Sequence, residues 1–144
     1  MKHDAIWKLE TNLDDCTGEN LGYVMDLLLE SGARDVFYTP IYMKKNRPAV
    51  LLSVLCTEDT VGVMEEILFE NTTTIGIRRQ RMERTILERR EGSMTLPEGQ
   101  VRTKIVKLPS GREREYPEYE SLSALARESG KSYRELLEDY YRRK

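Results

Sequence analysis

The chain has 144 residues, 39% of them apolar and 33% charged, and carries a net charge of −2. It is long enough to bury a core of its own, and its slightly acidic balance argues against bulk nucleic-acid binding, which normally shows a basic excess. No stretch is apolar enough to span a membrane, and the opening "MKHDAIW" lacks the apolar segment of a signal peptide. Two cysteines, Cys16 and Cys56, make no disulfide framework, and a single His3 excludes a histidine-built metal site within one chain. The expected setting is a reducing cytoplasm.

"AIWKLETNL" mixes apolar and polar positions as a strand does, with Ile6 and Leu9 expected to face inward. "LGYVMDLLLESGARD" places Leu21, Val24, Met25 and Leu28 at helical spacing, with Gly32 as the stop. "DVFYTPIYM" alternates as a strand, and Pro40 points to an edge position or a bulge. "KKNRP" is a turn, and the almost wholly apolar "AVLLSVLC" predicts a central strand. "EDTVGVMEEILFEN" predicts a helix with Val63, Met64, Ile67 and Leu68 on one side and Asp59 or Thr60 as cap. "TTTIGIRR" is expected to begin a fourth strand.

The order through residue 82 is thus β-α-β-β-α-β, the split βαβ or ferredoxin-like plan of an α+β fold. Residues 83–144 read as a β-hairpin extension followed by two helices, packed with the first part or mediating oligomerisation. Turns are expected at 92–99 and 109–111. "EYESLSALARES" and "SYRELLEDYYRR" are the helices. The second opens with a capping box, Ser132 with Glu135, and carries Tyr133, Leu136, Leu137, Tyr140 and Tyr141 as one stripe. Helix, glycine turn and helix also fit a DNA-binding helix-turn-helix. The acids on both helices favour an αα-hairpin packed on the β region or on another subunit.

This element order makes a geometric prediction. Three connections must share one edge of the sheet: "TNLDDCTGEN" (11–20), "KKNR" (44–47) and "NTTT" (71–74). One is acidic, one basic and one rich in hydroxyls. A metal–polyphosphate ligand needs such a combination. Mg²⁺ or Mn²⁺ takes one or two carboxylates plus phosphate oxygens, while Lys44, Lys45, Arg47 and Arg78 balance phosphate charge. Gly18 permits close backbone approach before the first helix, whose start favours an anion. No GxxxxGK[ST] is present, so the site is not a P-loop. Each loop also has an ordinary reading. Asp14, Asp15 and Glu19 are placed to favour a helix macrodipole, "KKNR" suits a solvated hairpin tip, and Thr72, Thr73 and Thr74 suit a helix end. Cys16 reads as a small filler, and Met43 and Met64 as core residues.

Together, "ETNLDDCTGENLG", "KKNRP", "TTTIGIRR" and "GQVRTKIV" resemble, in this order, the carboxy-terminal domain of the LarC family, from about residue 5 to about residue 140. That family comprises the nickel-insertion proteins, or cyclometallases, of nickel-pincer cofactor biosynthesis. The resemblance implies a lyase-class enzyme that inserts nickel into pyridinium-3,5-bisthiocarboxylic acid mononucleotide. The product is the cofactor of lactate racemase, and CTP, with Mn²⁺ or Mg²⁺, is split to CMP and pyrophosphate. It implies partnership with the family's amino-terminal domain and a homo-oligomer. Glu10, Asn12, Asp14, Asp15, Thr17 and Glu19 match the acidic signature, with Glu10, Asp14, Asp15 and Glu19 as the metal candidates. Lys44, Lys45, Asn46 and Arg47 match the basic hairpin. Thr72, Thr73, Thr74 and Arg78 match the threonine turn, and Lys104 the later block. Cys16 stands where the signature is expected to carry Met. The alternative from the residues alone is a non-catalytic ferredoxin-like module that binds a small anion or assembles subunits.

Overall fold

The computed structural model describes residues 1–144. Seven strands and four helices follow one another as β1 (Lys2–Leu13), α1 (Gly18–Glu30), β2 (Asp35–Met43), β3 (Arg47–Cys56), α2 (Val61–Asn71), β4 (Arg78–Ile86), β5 (Arg89–Leu96), β6 (Gly99–Lys107), β7 (Glu113–Pro117), α3 (Tyr119–Ser129) and α4 (Tyr133–Arg142). They form two antiparallel sheets and divide into two units, His3–Arg84 and Met1–Lys2 with Thr85–Lys144. No helix is long and apolar enough to cross a membrane.

In the unit His3–Arg84 the strands lie in the order β2-β3-β1-β4. β3 pairs antiparallel with β1, Leu9 opposite Val54, and with β2, Val36 opposite Val54. Arg78 reaches Glu10 while Arg84 reaches Asp4, so β4 runs antiparallel to β1 as well. The apolar run of β3 is central, and β2, which carries Pro40, is an edge where a missing N–H costs no ladder bond. Strand alternation sends Leu9 and Leu13 of β1, and Leu52, Val54 and Cys56 of β3, toward the helices. There they meet Leu21, Val24 and Leu28 of α1 and Val61, Met64 and Leu68 of α2. Burying each such side chain favours folding by about 1.5–3 kcal/mol, so this layer fixes the sheet from which the loops extend.

Several expectations are corrected here. Ile6 is buried, but Trp7 rather than Ile6 joins the helix-side cluster, since positions 6 and 9 fall on opposite faces of a strand. Val63 is exposed, because the buried stripe of α2 runs through Val61, Met64 and Leu68. Thr60 is the N-cap residue of α2, as expected, but makes no side-chain cap bond; Asp59 instead accepts from Thr57 Oγ1 at 2.5 Å. The fourth strand begins at Arg78, and residues 72–77 form a loop tied by its own hydroxyls.

In the other unit β5, β6 and β7 form an antiparallel sheet in that order. Leu96 and Val101 pack with Leu122, Leu125 and Ala126 of α3 and Leu136 of α4. This packing makes the pair an αα-hairpin laid on a sheet. The turn expected at 92–99 shrinks to residues 97–98, and Gly92 lies within β5. A Cβ at Gly92 would stand 2.7 Å from Ile105 Cδ1 and Thr103 Oγ1, so the glycine serves close packing rather than a turn. Gly130, with φ 73°, ends α3 in the left-handed region. The Ser132–Glu135 capping box is present. Tyr140 is buried, whereas Tyr141 is exposed and leaves the expected stripe.

Candidate functional site

Short segments join β1 to α1, β2 to β3 and α2 to β4, and side chains cross from the first of them to each of the other two. Arg47, just after the hairpin tip, places Nη1 3.3 Å from Asp14 Oδ2. Thr73 Oγ1 donates to Asp15 Oδ1 and lies 3.5 Å from Cys16 Sγ. Asn20 Nδ2 donates to the Asn71 carbonyl at 3.0 Å. On the first residue of β4, Arg78 donates through Nε to Glu10 Oε1 (3.1 Å) and through Nη2 to Asn12 Oδ1 (2.7 Å). The sheet order forces this convergence: β1 and β4 are neighbours, and β3 returns beside β1 from the hairpin.

Between these groups lies a groove of ≈ 340 Å³. Thr11, Asn12, Asp14, Asp15, Thr73, Thr74 and Arg78 supply its polar lining, and Leu13, Met43 and Ile75 its apolar part. Asp14 is paired with Arg47 and Arg78 with Glu10, while Asp15 accepts from the Thr73 hydroxyl. Hydrogen bonding from Arg78, then from Lys8, holds the Glu10 carboxyl below the usual carboxylate range. No group of three or more His, Cys, Asp or Glu side chains converges anywhere in the chain. Asp14 and Asp15 are the two carboxylates that line the groove, beside Thr11, Asn12, Thr73 and Thr74, hard oxygen donors of the kind a divalent ion takes.

The other sequence candidates take varied places. Thr17 is the N-cap of α1, its side chain accepting from Asn20 N at 3.1 Å. Gly18 opens that helix with open space around it, and Glu19 lies in its first turn. Thr72 turns back to the Leu68 carbonyl at 2.6 Å and so finishes α2. Lys44 and Lys45 are exposed at the hairpin tip, between Met43 on the groove and Arg47 on Asp14. Lys45 and Asn46 hold φ 63° and 56°, left-handed conformations within the three-residue hairpin loop 44–46. Lys104 stands on β6 of the other unit, 3.9 Å from Glu118. Met43, expected in the core, lines the groove instead.

Sequence reasoning missed Thr11, which is buried to 1% and bonds Thr74 Oγ1 at 2.5 Å and the Gly76 carbonyl at 3.1 Å. The available signal was its place between Leu9 and Leu13 on the inward face, where a polar residue needs a reason. Ile75, fully exposed in the threonine loop, was missed as well.

Comparison with known proteins places this geometry. The family model described as "Nickel insertion protein" matches residues 1–137. The chain is 49% identical, over 133 residues, to a pyridinium-3,5-bisthiocarboxylic acid mononucleotide nickel insertion protein of Alkaliphilus metalliredigens, covering 92% of this chain and 31% of that protein. The protein of that name from Lactiplantibacillus plantarum is 44% identical over 125 residues, which are 87% of this chain and 30% of that one. The chain thus spans about a third of the length of these relatives. Among solved structures, it matches LarC2, the C-terminal domain of a cyclometallase involved in the synthesis of the NPN cofactor of lactate racemase, in its apo form. The TM-score is 0.90 and the identity 40%, over 97% of this chain and 96% of that one. The chain belongs to the nickel insertion protein family and corresponds to the LarC carboxy-terminal domain.

Proposed function

We propose that this chain is the CTP- and divalent-metal-binding domain of a nickel insertase acting on pyridinium-3,5-bisthiocarboxylic acid mononucleotide, with CTP split to CMP and pyrophosphate. The observation that carries the reading is the convergence of Asp14, Asp15, Thr73, Thr74 and Arg78 on one groove, with Arg47 held on Asp14 beside it, from segments far apart in sequence. The unit that presents them is read as ferredoxin-like, supported by its β2-β3-β1-β4 order with both helices contributing to one core. The remaining two thirds of the relatives' length would supply the amino-terminal domain, so turnover belongs to the whole protein and nucleotide binding to this part.

The charge pattern explains how such a ligand would enter. Arg47 rests on Asp14, and Arg78 on Glu10 and Asn12. A triphosphate would take over the guanidiniums, for which it is a better bidentate partner. The carboxylates thus released would hold the divalent ion, Mn²⁺ or Mg²⁺, which supplies charge neutralisation between the phosphates. Lys44 and Lys45, exposed at the tip, would add charge, and the Thr73 and Thr74 hydroxyls would donate neutral hydrogen bonds. Metal and nucleotide would therefore bind better together than singly. Nickel is the metal inserted, hence a substrate.

Isothermal calorimetry with CTP and Mn²⁺ tests the reading. Saturable heat is expected, and Asp14→Asn and Lys45→Ala should each weaken it. Absence of heat in the wild-type chain overturns the nucleotide reading; unchanged affinity in both variants moves the site elsewhere.

A further inference from the structure

Thr11 occupies an inward position of β1 between Leu9 and Leu13, and all three side chains are nearly free of solvent. Valine has the same shape and suits a strand core at least as well. The hydroxyl is what distinguishes threonine here, and a buried hydroxyl without a partner is costly. Its partners all lie on the loop after α2. Thr74 Oγ1 is 2.5 Å away, and the Gly76 carbonyl accepts from Thr11 at 3.1 Å. Thr74 Oγ1 is also 2.9 Å from that carbonyl and accepts from the Gly76 amide at 3.3 Å.

This network matters because, short of Ile77, which packs against the core, nothing apolar holds residues 73–76. Between Thr72 and Ile77 no apolar side chain is buried; Ile75 is entirely in solvent and Gly76 has no side chain. Polar contacts alone set the position of residues 73–76. Thr73 reaches Asp15 from this loop, and Thr74 faces the groove.

We propose that Thr11 is a positioning residue of the groove: its buried hydroxyl pins the loop 73–76 to β1 and thereby sets Thr73 and Thr74 at the spacing a bound triphosphate requires. The proposal rests on the nucleotide reading above. Thr11 is at the floor of the groove but only 1% exposed, and its hydroxyl is engaged by Thr74 and Gly76, so it acts through them. Without its hydroxyl, the loop would sample other positions, and ligand binding would have to order it first, which lowers affinity.

The test compares Thr11→Val, which keeps the shape, with Thr11→Ser, which keeps the hydroxyl. For each variant, ¹⁵N relaxation of residues 73–76 reports loop order, calorimetry reports CTP·Mn²⁺ affinity, and thermal unfolding reports the fold. In Thr11→Val we expect lower backbone order confined to 73–76, an affinity reduced about tenfold, and an unfolding midpoint close to the wild type. Thr11→Ser should restore loop order and affinity. The proposal is overturned if loop order and affinity are unchanged in Thr11→Val. It is equally overturned if affinity falls only in step with the unfolding midpoint and Thr11→Ser fails to restore it. If the wild-type chain binds no CTP·Mn²⁺, the nucleotide reading falls and Thr11 loses its role there. Unchanged relaxation in Thr11→Val would refute its hold on the loop whether or not nucleotide binds.

Discussion

The groove end of the first unit and the helical hairpin of the second use similar charged side chains in opposite ways. At the groove, Asp15 meets Thr73 across 58 positions of sequence, and Arg78 meets Glu10 across 68. On α4, Arg134 meets Glu138 one turn away, and Arg142 meets the same Glu138 from the other side. Local pairs of that kind are typical of a solvated helix and contribute little. Long-range polar contacts require a complete sheet to bring their partners together. When exposed polar groups are assembled at that cost and left lining a groove, a ligand is the natural reason. Separation in sequence alone does not mark a site, since Arg84 meets Asp4 across 80 positions away from the groove; separation together with a groove does, on the reading proposed above.

The largest effect should follow from removing a long-range cation. Arg78→Ala removes the guanidinium that the proposed triphosphate would take over from Glu10 and Asn12, and one hydrogen bond to a charged partner is worth about 1.5–3 kcal/mol. CTP·Mn²⁺ affinity should fall by about 10- to 100-fold, with the unfolding midpoint nearly unchanged because Arg78 is half exposed. A large loss of stability without loss of affinity would erase the distinction between the two regions.

A middle-sized effect is expected in the second unit, where Lys131 ties Glu98 of the β5–β6 turn and lies 3.6 Å from Asp139 of α4. The Lys131 ammonium holds the Glu98 carboxyl below the usual carboxylate range. A carboxyl whose pKa is lower in the folded state stabilises at any pH above its unfolded value, and that contribution disappears as pH falls through the folded value. Glu98→Gln should therefore lower stability at neutral pH and flatten the acid limb of the unfolding profile below the ordinary carboxylate pKa. Nucleotide affinity should not change. A wild-type acid limb in Glu98→Gln would show that the ion pair carries no stability.

The smallest effect belongs to Tyr140. Its hydroxyl is buried without a hydrogen-bond partner, and burial first, then Glu115, pushes its pKa up to about 12. Removing an unsatisfied buried group is neutral or favourable. Tyr140→Phe should unfold at or slightly above the wild-type midpoint, again with unchanged nucleotide affinity. A clear loss of stability would mean that the hydroxyl has a partner in solution.

Much of this molecule was legible in its sequence. Apolar spacing located the helices and strands, Pro40 marked an edge, and Ser132 with Glu135 marked a cap, because each of these depends on neighbours within a few positions. The residues "DD", "KKNR" and "TTT" suggested the chemistry proposed above through residue type alone, and the element order was enough to predict that the loop 11–20 meets the other two. Tertiary structure decided the remainder. It put Trp7 rather than Ile6 on the helix-side core, moved Met43 from core to groove, gave Arg78 its partners on β1, and turned Thr72 into a helix end while Thr73 and Thr74 faced the groove. It also gave Thr11 a use for its hydroxyl. These outcomes depend on strand register and on loops meeting across a sheet. Pattern within a window carries neither, since a shift of one residue in register reverses every inward and outward side chain.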